Sequence, residues 1–207
     1  MGNREALLRG AKQCIYERGY ARTTARDVAT AAGVSLAAIG YHFGTIETLL
    51  NKAMIEAIGD WGDEMERALI AEEDSSTPQE RFAAIWMRVI DSFAAHRPLW
   101  AASFQVFAQI DHAPEVRAVL AEAFEHGRSG LVEIFGLGHA AEDDQSRHAV
   151  GALCQALMTG LLAQWLVDPA RAPTGTDLAI AWKQIAVTMA LAETRRSDVD
   201  PDAGLPE

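Results

Sequence analysis

Apolar positions recur at intervals of three and four along almost the whole chain, and no stretch alternates apolar with polar residues as a half-exposed strand would. The pattern predicts an all-α protein. Leu7, Leu8, Ala11, Cys14 and Ile15 form the buried stripe of a first helix from about Asn3 to Gly19. A short second helix follows Thr24, which can cap it, with Asp27 three residues on to complete a capping box. Val28, Ala29 and Ala32 are its apolar face, and Gly33 stops it by accepting a left-handed turn. Ser35 is placed to cap a third helix, Leu36 to Phe43, with Ile39 and Phe43 turned inward. Two short helices across a tight glycine turn make a helix-turn-helix, whose second helix can enter the major groove of DNA.

Six more helices are expected. The fourth, about Ile46 to Glu72 with Thr45 as its cap, carries Leu50, Met54, Ala57, Trp61, Met65 and Leu69 on one side and ends at the polar break EEDSST (72–77). Thr77, Pro78 and Glu80 open the fifth as cap, first-turn proline and box partner. Its stripe is Phe82, Ile85, Trp86, Val89, Ile90 and Phe93, until Arg97-Pro98 breaks it. The sixth carries Leu99, Trp100, Phe104, Phe107 and Ile110; the seventh runs from Pro114 to Gly136. After the loop GLGHAAEDD (136–144), an eighth helix from about Glu142 to Val167 shows a small face (Ala149, Ala152, Ala156, Gly160, Ala163) and a bulky one (Leu153, Leu157, Met158, Leu161, Trp165). The ninth, about Thr176 to Arg196, carries Leu178, Trp182, Ile185 and Met189. An acidic, proline-bearing tail, 197–207, is expected to be disordered. These elements divide the chain into a head of residues 1–50, a body of 51–196 and the tail.

At 207 residues, 49% apolar and 23% charged, the chain has the balance of a soluble globular protein. No membrane span is expected, on the reading that no apolar run of eighteen residues is free of charge. The first residues lack the apolar core of a signal peptide and read better as a helix. Cys14 and Cys154 sit far apart on apolar faces, so no disulfide is indicated, which fits a reducing cytoplasm. A net charge of −11 looks wrong for a DNA-binding protein. Its distribution removes the objection. Residues 1–52 hold seven bases (Arg4, Arg9, Lys12, Arg18, Arg22, Arg26, Lys52) against four acids (Glu5, Glu17, Asp27, Glu47), a balance of +3 that leaves −14 on the rest. An acidic body repels phosphate and leaves the head to dock.

Spaced along the head are Gly19, Tyr20, Thr23, Thr24, Val28, Ala29, Ala32, Gly33, Val34 and Ser35, then Ile39, Tyr41, His42, Phe43, Gly44 and Leu49. In this pattern the chain resembles the TetR family of bacterial transcription regulators. GLLAQWLVDP (160–169) also resembles that family's penultimate helix. The resemblance implies a ligand-responsive regulator, most often a repressor released from a palindromic operator by a small effector. It implies DNA contacts on the exposed face of the third helix and its flanks: Thr24, Arg26, Ser35, Leu36, Ala37, Ala38, Gly40, Tyr41, His42 and Thr45. None of the third-helix residues is Arg, Lys, Asn or Gln, so phosphate contacts and DNA shape should carry much of the recognition. Two positions depart from the family: Gly40 stands where many members have tyrosine, and Ile46 where lysine is usual.

The resemblance further implies a homodimer built on the eighth and ninth helices, through Ala152, Ala156, Gly160, Ala163, Leu178, Trp182, Ile185 and Met189. It implies an effector site between the fifth to eighth helices, with Trp86, Ile90, Phe93, Trp100, Phe104, Phe107, Met158 and Trp165 as candidates. An aromatic stripe at helical spacing is ordinarily core, so these residues are candidates only through the resemblance. Four body tryptophans, Trp86, Trp100, Trp165 and Trp182, tilt the effector towards apolar, ring-bearing or acyl molecules. An enzyme is the competing class. A helical di-iron site wants Glu-x-x-His pairs, and none occurs; nor is there a Gly-x-Ser-x-Gly, a phosphate loop or a Cys-x-x-Cys. No catalytic residue, metal or cofactor is expected. The apolar third helix and Ile46 leave one further alternative, a small-molecule-binding module without sequence-specific DNA function.

Overall fold

The computed structural model describes residues 2–70, 77–108, 110–111, 114–135 and 143–199. Among them the regular structure is all helical. It comprises α1 (Asn3–Arg18), a 3-10 turn (Tyr20–Arg22), α2 (Ala25–Ala32), α3 (Ala37–Phe43), α4 (Ile46–Ile70), α5 (Pro78–Ala95), α6 (Arg97–Phe107), α7 (Pro114–Ile134), α8 (Asp144–Val167) and α9 (Gly175–Val199). The expected break at 72–77 and the loop at 136–144 lie, apart from Thr77, Asp143 and Asp144, outside the described residues. Of the expected tail, residues 197–199 instead continue α9; the rest lies outside the described residues.

Local sequence sets most helix starts. Thr24 accepts a hydrogen bond from the Asp27 amide at 3.3 Å, and the Asp27 carboxylate accepts from the Thr24 amide at 3.0 Å. Thr77 and Glu80 build the same box ahead of α5, with Pro78 in the first turn. Thr174 and Asp177 pair in the same way at α9, and Asp143 caps α8 by accepting from the Ser146 amide at 2.7 Å. The third helix departs from expectation. Ser35 does not supply a cap: α3 starts without any side-chain cap, and the Ala38 and Ile39 amides bond instead to the Ser35 and Leu36 carbonyls.

The Thr24 hydroxyl and then its amide hold the Asp27 carboxyl below its ordinary range. A depressed carboxyl stabilises the fold fully above its unfolded pKa and loses that contribution as pH falls through the folded value. Asp27→Asn should therefore cost the head stability at pH 6, and the difference from wild type should close as pH drops below about 4. Thermal unfolding followed across pH would check this.

Two apolar clusters organise the packing. The first joins α1, α2 and α3 to the N-terminal half of α4, and it also takes in Leu99, Ala102 and Val106 of α6 and Leu120 of α7. The second fills the body with Trp61 and Met65, Ile85, Trp86, Val89 and Phe93, Trp100, Leu131, Phe135, Cys154, Leu161 and Leu162. α6 thus feeds both clusters from opposite faces. α7 and α8 pack side by side, and α9 packs principally on α5. Burial pushes the Cys154 thiol up to about 11, and both cysteines are free. Each lies in a different cluster.

The expectation that no long apolar run is free of charge does not hold for α8. Residues 149–167 carry no charged side chain, and the helix is long and apolar enough, by length and composition, to cross a membrane. Its polar residues, Gln155, Thr159 and Gln164, are scattered among apolar ones, so no charge interrupts the stretch. Only 22% of the most apolar window is buried, because α8 lays one face on the body and leaves the other uncovered.

Candidate nucleic-acid interface and body core

The turn between α2 and α3 is built by Gly33, at φ 66° and ψ 31°, a conformation an L side chain resists. Its amide closes on α2, and the Val34 amide bonds to the Ala29 carbonyl at 3.1 Å. Ile39 and Phe43 are buried in the head cluster, which aims the other side of α3 outward. Ser35, Leu36, Ala37, Gly40 and Tyr41 are exposed, Tyr41 by 86%. The Tyr41 ring stands edge-on to His42 at 4.8 Å, which leaves its hydroxyl in solvent. Thr24, Arg26 and Thr45 are exposed around this face, and Thr45 caps α4 by accepting from the Thr48 amide at 3.1 Å.

Ala38 departs from the outward set. At 9% exposure it belongs to the head cluster, because it lies beside Ile39 on the side of α3 that meets the core. It contributes only to the floor of a shallow groove walled by Asn3, Ser35, Ala37, Tyr41 and His42. Asn3 was not legible as a site residue. It carries no periodic or motif signal, and only the packing of α1 beside α3 brings it to the groove. Arg4 follows it and places its guanidinium 5.4 Å from the centre of the Phe43 ring.

Ile46 is half-buried and packs against the head cluster at the start of α4. The position faces the same end of the head as Thr45 but offers phosphate no charge. Ile46→Lys should raise DNA affinity about three- to ten-fold at low salt and steepen the dependence on salt by about one ion. Fluorescence anisotropy over a salt series reads both.

Side-chain contacts tie α1 and the turn after it to α4 and to the junction of α5 with α6. Lys12 of α1 reaches Asp60 at 2.6 Å and Glu56 at 3.3 Å on α4. The Tyr20 hydroxyl donates to the Asn51 side-chain oxygen at 2.7 Å, and the Tyr16 hydroxyl meets His96 Nδ1 at 2.9 Å, where α5 gives way to α6. Burial opposes the charge on Lys12, but the hydrogen bond and attraction of Asp60, then Glu56, outweigh it and hold its pKa above the usual value.

In the body, seven of the eight candidate effector residues share the second cluster: Trp86, Ile90, Phe93, Trp100, Phe104, Met158 and Trp165. Phe107 does not. It packs on the head-side cluster, with Phe124 of α7 at 5.8 Å on one side and Phe104 at 5.8 Å on the other. The Phe93 ring lies 5.9 Å from Trp100 and 5.8 Å from Trp165, and Trp100 stands edge-on to Trp61 at 4.9 Å. Trp86 meets Phe135 at 5.0 Å and Phe82 at 6.2 Å. The Trp61 indole donates to Ser92 Oγ at 3.0 Å. The indole N–H groups of Trp86 and Trp100 are buried and have no acceptor.

The outer surface of α8 carries Ala149, Leu153, Ala156, Gly160, Gln164 and Val167, spaced by three and four and all exposed. Leu153, expected on the bulky inward face, therefore stands outside. Ala152 and Ala163, expected on the open small face, are half-buried. The helix is rotated because Gly151 and Cys154 take the contact with the body. On α9, Trp182, Ile185 and Met189 are 47%, 50% and 64% exposed, whereas Leu178 is half-buried against the second cluster. Among the described residues no group of three or more His, Cys, Asp or Glu is gathered as metal ligands would be.

Comparison with known proteins covers both regions. Residues 7–53 match the model for bacterial regulatory proteins of the tetR family, and residues 77–184 match the model for the tetracyclin repressor-like C-terminal domain. The HTH-type transcriptional regulator BetI of Rhizobium meliloti is 32% identical over 162 residues, spanning 76% of this chain and 75% of that protein. Over 71 residues, 34% of this chain and 33% of the relative, the HTH-type regulator TtgR of Pseudomonas putida is 34% identical. Among solved structures, a transcriptional regulator of Pseudomonas aeruginosa PAO1 superposes with a TM-score of 0.64 at 20% identity, covering 93% of this chain and 92% of that one. A regulator of Saccharomonospora viridis, solved in complex with choline, superposes with a TM-score of 0.58 at 21% identity, covering 87% and 93%.

Proposed function

Because the chain belongs to the TetR family of bacterial regulatory proteins, and so is a ligand-responsive, DNA-binding transcriptional regulator rather than an enzyme, we propose that it is a repressor that leaves a palindromic operator when an effector enters its body. The observation that carries this reading is the double duty of α6. One face gives Trp100 to the body cluster, and the other gives Leu99, Ala102 and Val106 to the cluster that holds the head. A molecule that displaces Trp100 must move the same helix that packs under α1.

Residues 1–50 act as the reading head in this proposal, and the chain from residue 51 to the end of α9 as the effector and dimer body. Tyr41, Ser35, His42, Thr24, Arg26 and Thr45 meet phosphate, while Leu36, Ala37 and Gly40 allow close approach to base edges. Ala38 supports them from beneath, and Asn3 joins the set. Two copies pair through the outer surfaces of α8 and α9, which sets the heads about one or more DNA turns apart, roughly 34 Å or a multiple. The effector binds one head spacing better than the other, and operator DNA weakens effector binding by the same factor. The working place is the cytoplasm, with the DNA.

Titration of purified protein against DNA from upstream of its own gene, beside a random duplex, tests the reading. Preference for the upstream fragment, with affinity falling steeply as salt rises, is the expected result. Equal binding to both duplexes at every salt concentration would instead favour a small-molecule-binding module without sequence-specific DNA function, the reading that the apolar face of α3 and Ile46 support.

A further inference from the structure

An indole nitrogen only donates, and a buried donor without an acceptor costs free energy comparable to a lost hydrogen bond. Trp86 and Trp100 are 0% and 3% exposed, and neither indole N–H has a partner. Trp61, in the same cluster, shows how the cost is normally met, since its indole reaches Ser92 Oγ. Their near neighbours are rings, with Trp61 and Phe93 edge-on to Trp100 and Phe82 edge-on and Phe135 tilted against Trp86, and a ring is at best a weak acceptor.

The two donors lie in one cluster, where α5 sets their two ring groups in a row. Trp86 and Phe93 lie seven residues apart on α5, on the same face and about 10 Å along its axis by the helical rise. Phe93 meets Trp100, so one orphan stands at each end of the row. The cluster offers donors there and no buried carboxylate: among the described residues the buried polar ones are Thr23, Asn51 and Ser103. A cation entering the row would find ring faces, one of which Arg97 already covers at Trp165, and no buried carboxylate among the described residues; a hydrogen-bond acceptor would find two unused donors.

We infer that the effector is an elongated apolar molecule ending in a hydrogen-bond acceptor, a carboxylate or carbonyl, which takes the indole N–H of Trp100 or Trp86. This rests on the reading that the body binds the effector, and it adds the polar chemistry that the apolar residues leave unspecified. The acceptor replaces a weak ring contact with a strong one, so binding draws Trp100 out of its packing against Trp61.

The test uses three probes of one chain length on the full-length protein: decanoate, methyl decanoate and decyltrimethylammonium. Binding is read by tryptophan fluorescence, and the indole N–H groups by 15N-resolved NMR. The expected result is that one or both acceptor probes bind and shift the Trp86 or Trp100 indole proton downfield. Trp100→Phe or Trp86→Phe then weakens that probe about ten-fold. Stronger binding of decyltrimethylammonium, with operator release, would overturn the acceptor chemistry and leave the effector-responsive body standing. Acceptor probes that bind while both indole protons stay in place would overturn it equally. If none of the three binds or releases operator, the effector site among these aromatics falls with it. The wild-type NMR shifts decide the matter even where a tryptophan variant folds poorly.

Discussion

Ile185→Glu combined with Met189→Glu should leave the chain folded but monomeric, and its affinity for operator should fall at least 100-fold. Both side chains are half or more exposed in the single chain, so carboxylates there meet water and disturb no packing within the subunit. Ile180 and Leu191 are also more than half exposed, and Val187 nearly so. An apolar surface of this extent on one helix is costly unless another surface covers it. α5 holds the first turns of α9, through Gly175, Leu178, Ala179 and the inner face of Trp182. The exposed row on α8, with Ala156 and Gly160 leaving room for close approach, offers the complementary half. Two negative charges buried face to face with their symmetry mates would cost several kcal/mol, enough to separate the subunits. A lone head then keeps its phosphate contacts and loses the second half-site, a penalty of about 3 kcal/mol or more. Light scattering reads the first effect and operator titration the second. A dimer that survives the double substitution would place the interface elsewhere.

Gly175→Val should unfold the body at a markedly lower temperature, with a loss of about 3 kcal/mol. Gly175 is the first residue of α9, and a Cβ at this position would meet the Ala83 carbonyl oxygen and come within 2.6 Å of the Met87 amide nitrogen. Those are backbone atoms of α5, which cannot swing aside as a flexible side-chain end would. α9 would have to lift from α5, uncovering Leu178, Ala179 and the ring pair Phe82–Trp182, which stack at 6.1 Å. Gly160→Ala is the contrasting substitution. It meets nothing within 4 Å in the subunit, so monomer stability should hold or rise while dimerisation weakens. Thermal denaturation of both variants separates the two roles.

The head was almost wholly legible along the chain because its determinants are local. The Thr24–Asp27 box, the left-handed Gly33, the inward Ile39 and Phe43 and the Thr45 cap each depend on neighbours within a few residues. Ser35 shows where local reasoning fails. Its hydroxyl has a capping residue's chemistry, but Leu36 adopts helical geometry as the backbone leaves the turn, so the carbonyls of Ser35 and Leu36 take the first amides and no side-chain cap forms. Ala38 failed for a different reason. On a helix of seven residues, a rotation of a fraction of a turn moves a small side chain from surface to core.

The body was legible as helices but not as surfaces. Its aromatics were identified as a group, and seven of eight do gather in one cluster. Periodicity alone could not tell that Phe107 faces the head, since a helix packed on both sides shows no preferred stripe. Nor could it orient α8, whose apolar residues run all the way round. Only the approach of the seventh helix at Gly151 decides that Leu153 faces out and Cys154 in.

By itself the sequence determined the all-helical class, the capped helix-turn-helix, the basic head on an acidic chain and the family. These rest on hydrogen bonds, dihedral limits and charge counts that act over a few residues or on the chain as a whole. The tertiary structure alone decided which faces stay open, which glycine admits a crossing helix and which indoles are left without an acceptor. Burial and hydrogen-bond satisfaction belong to pairs of segments distant in the chain, and they have no value until those segments meet.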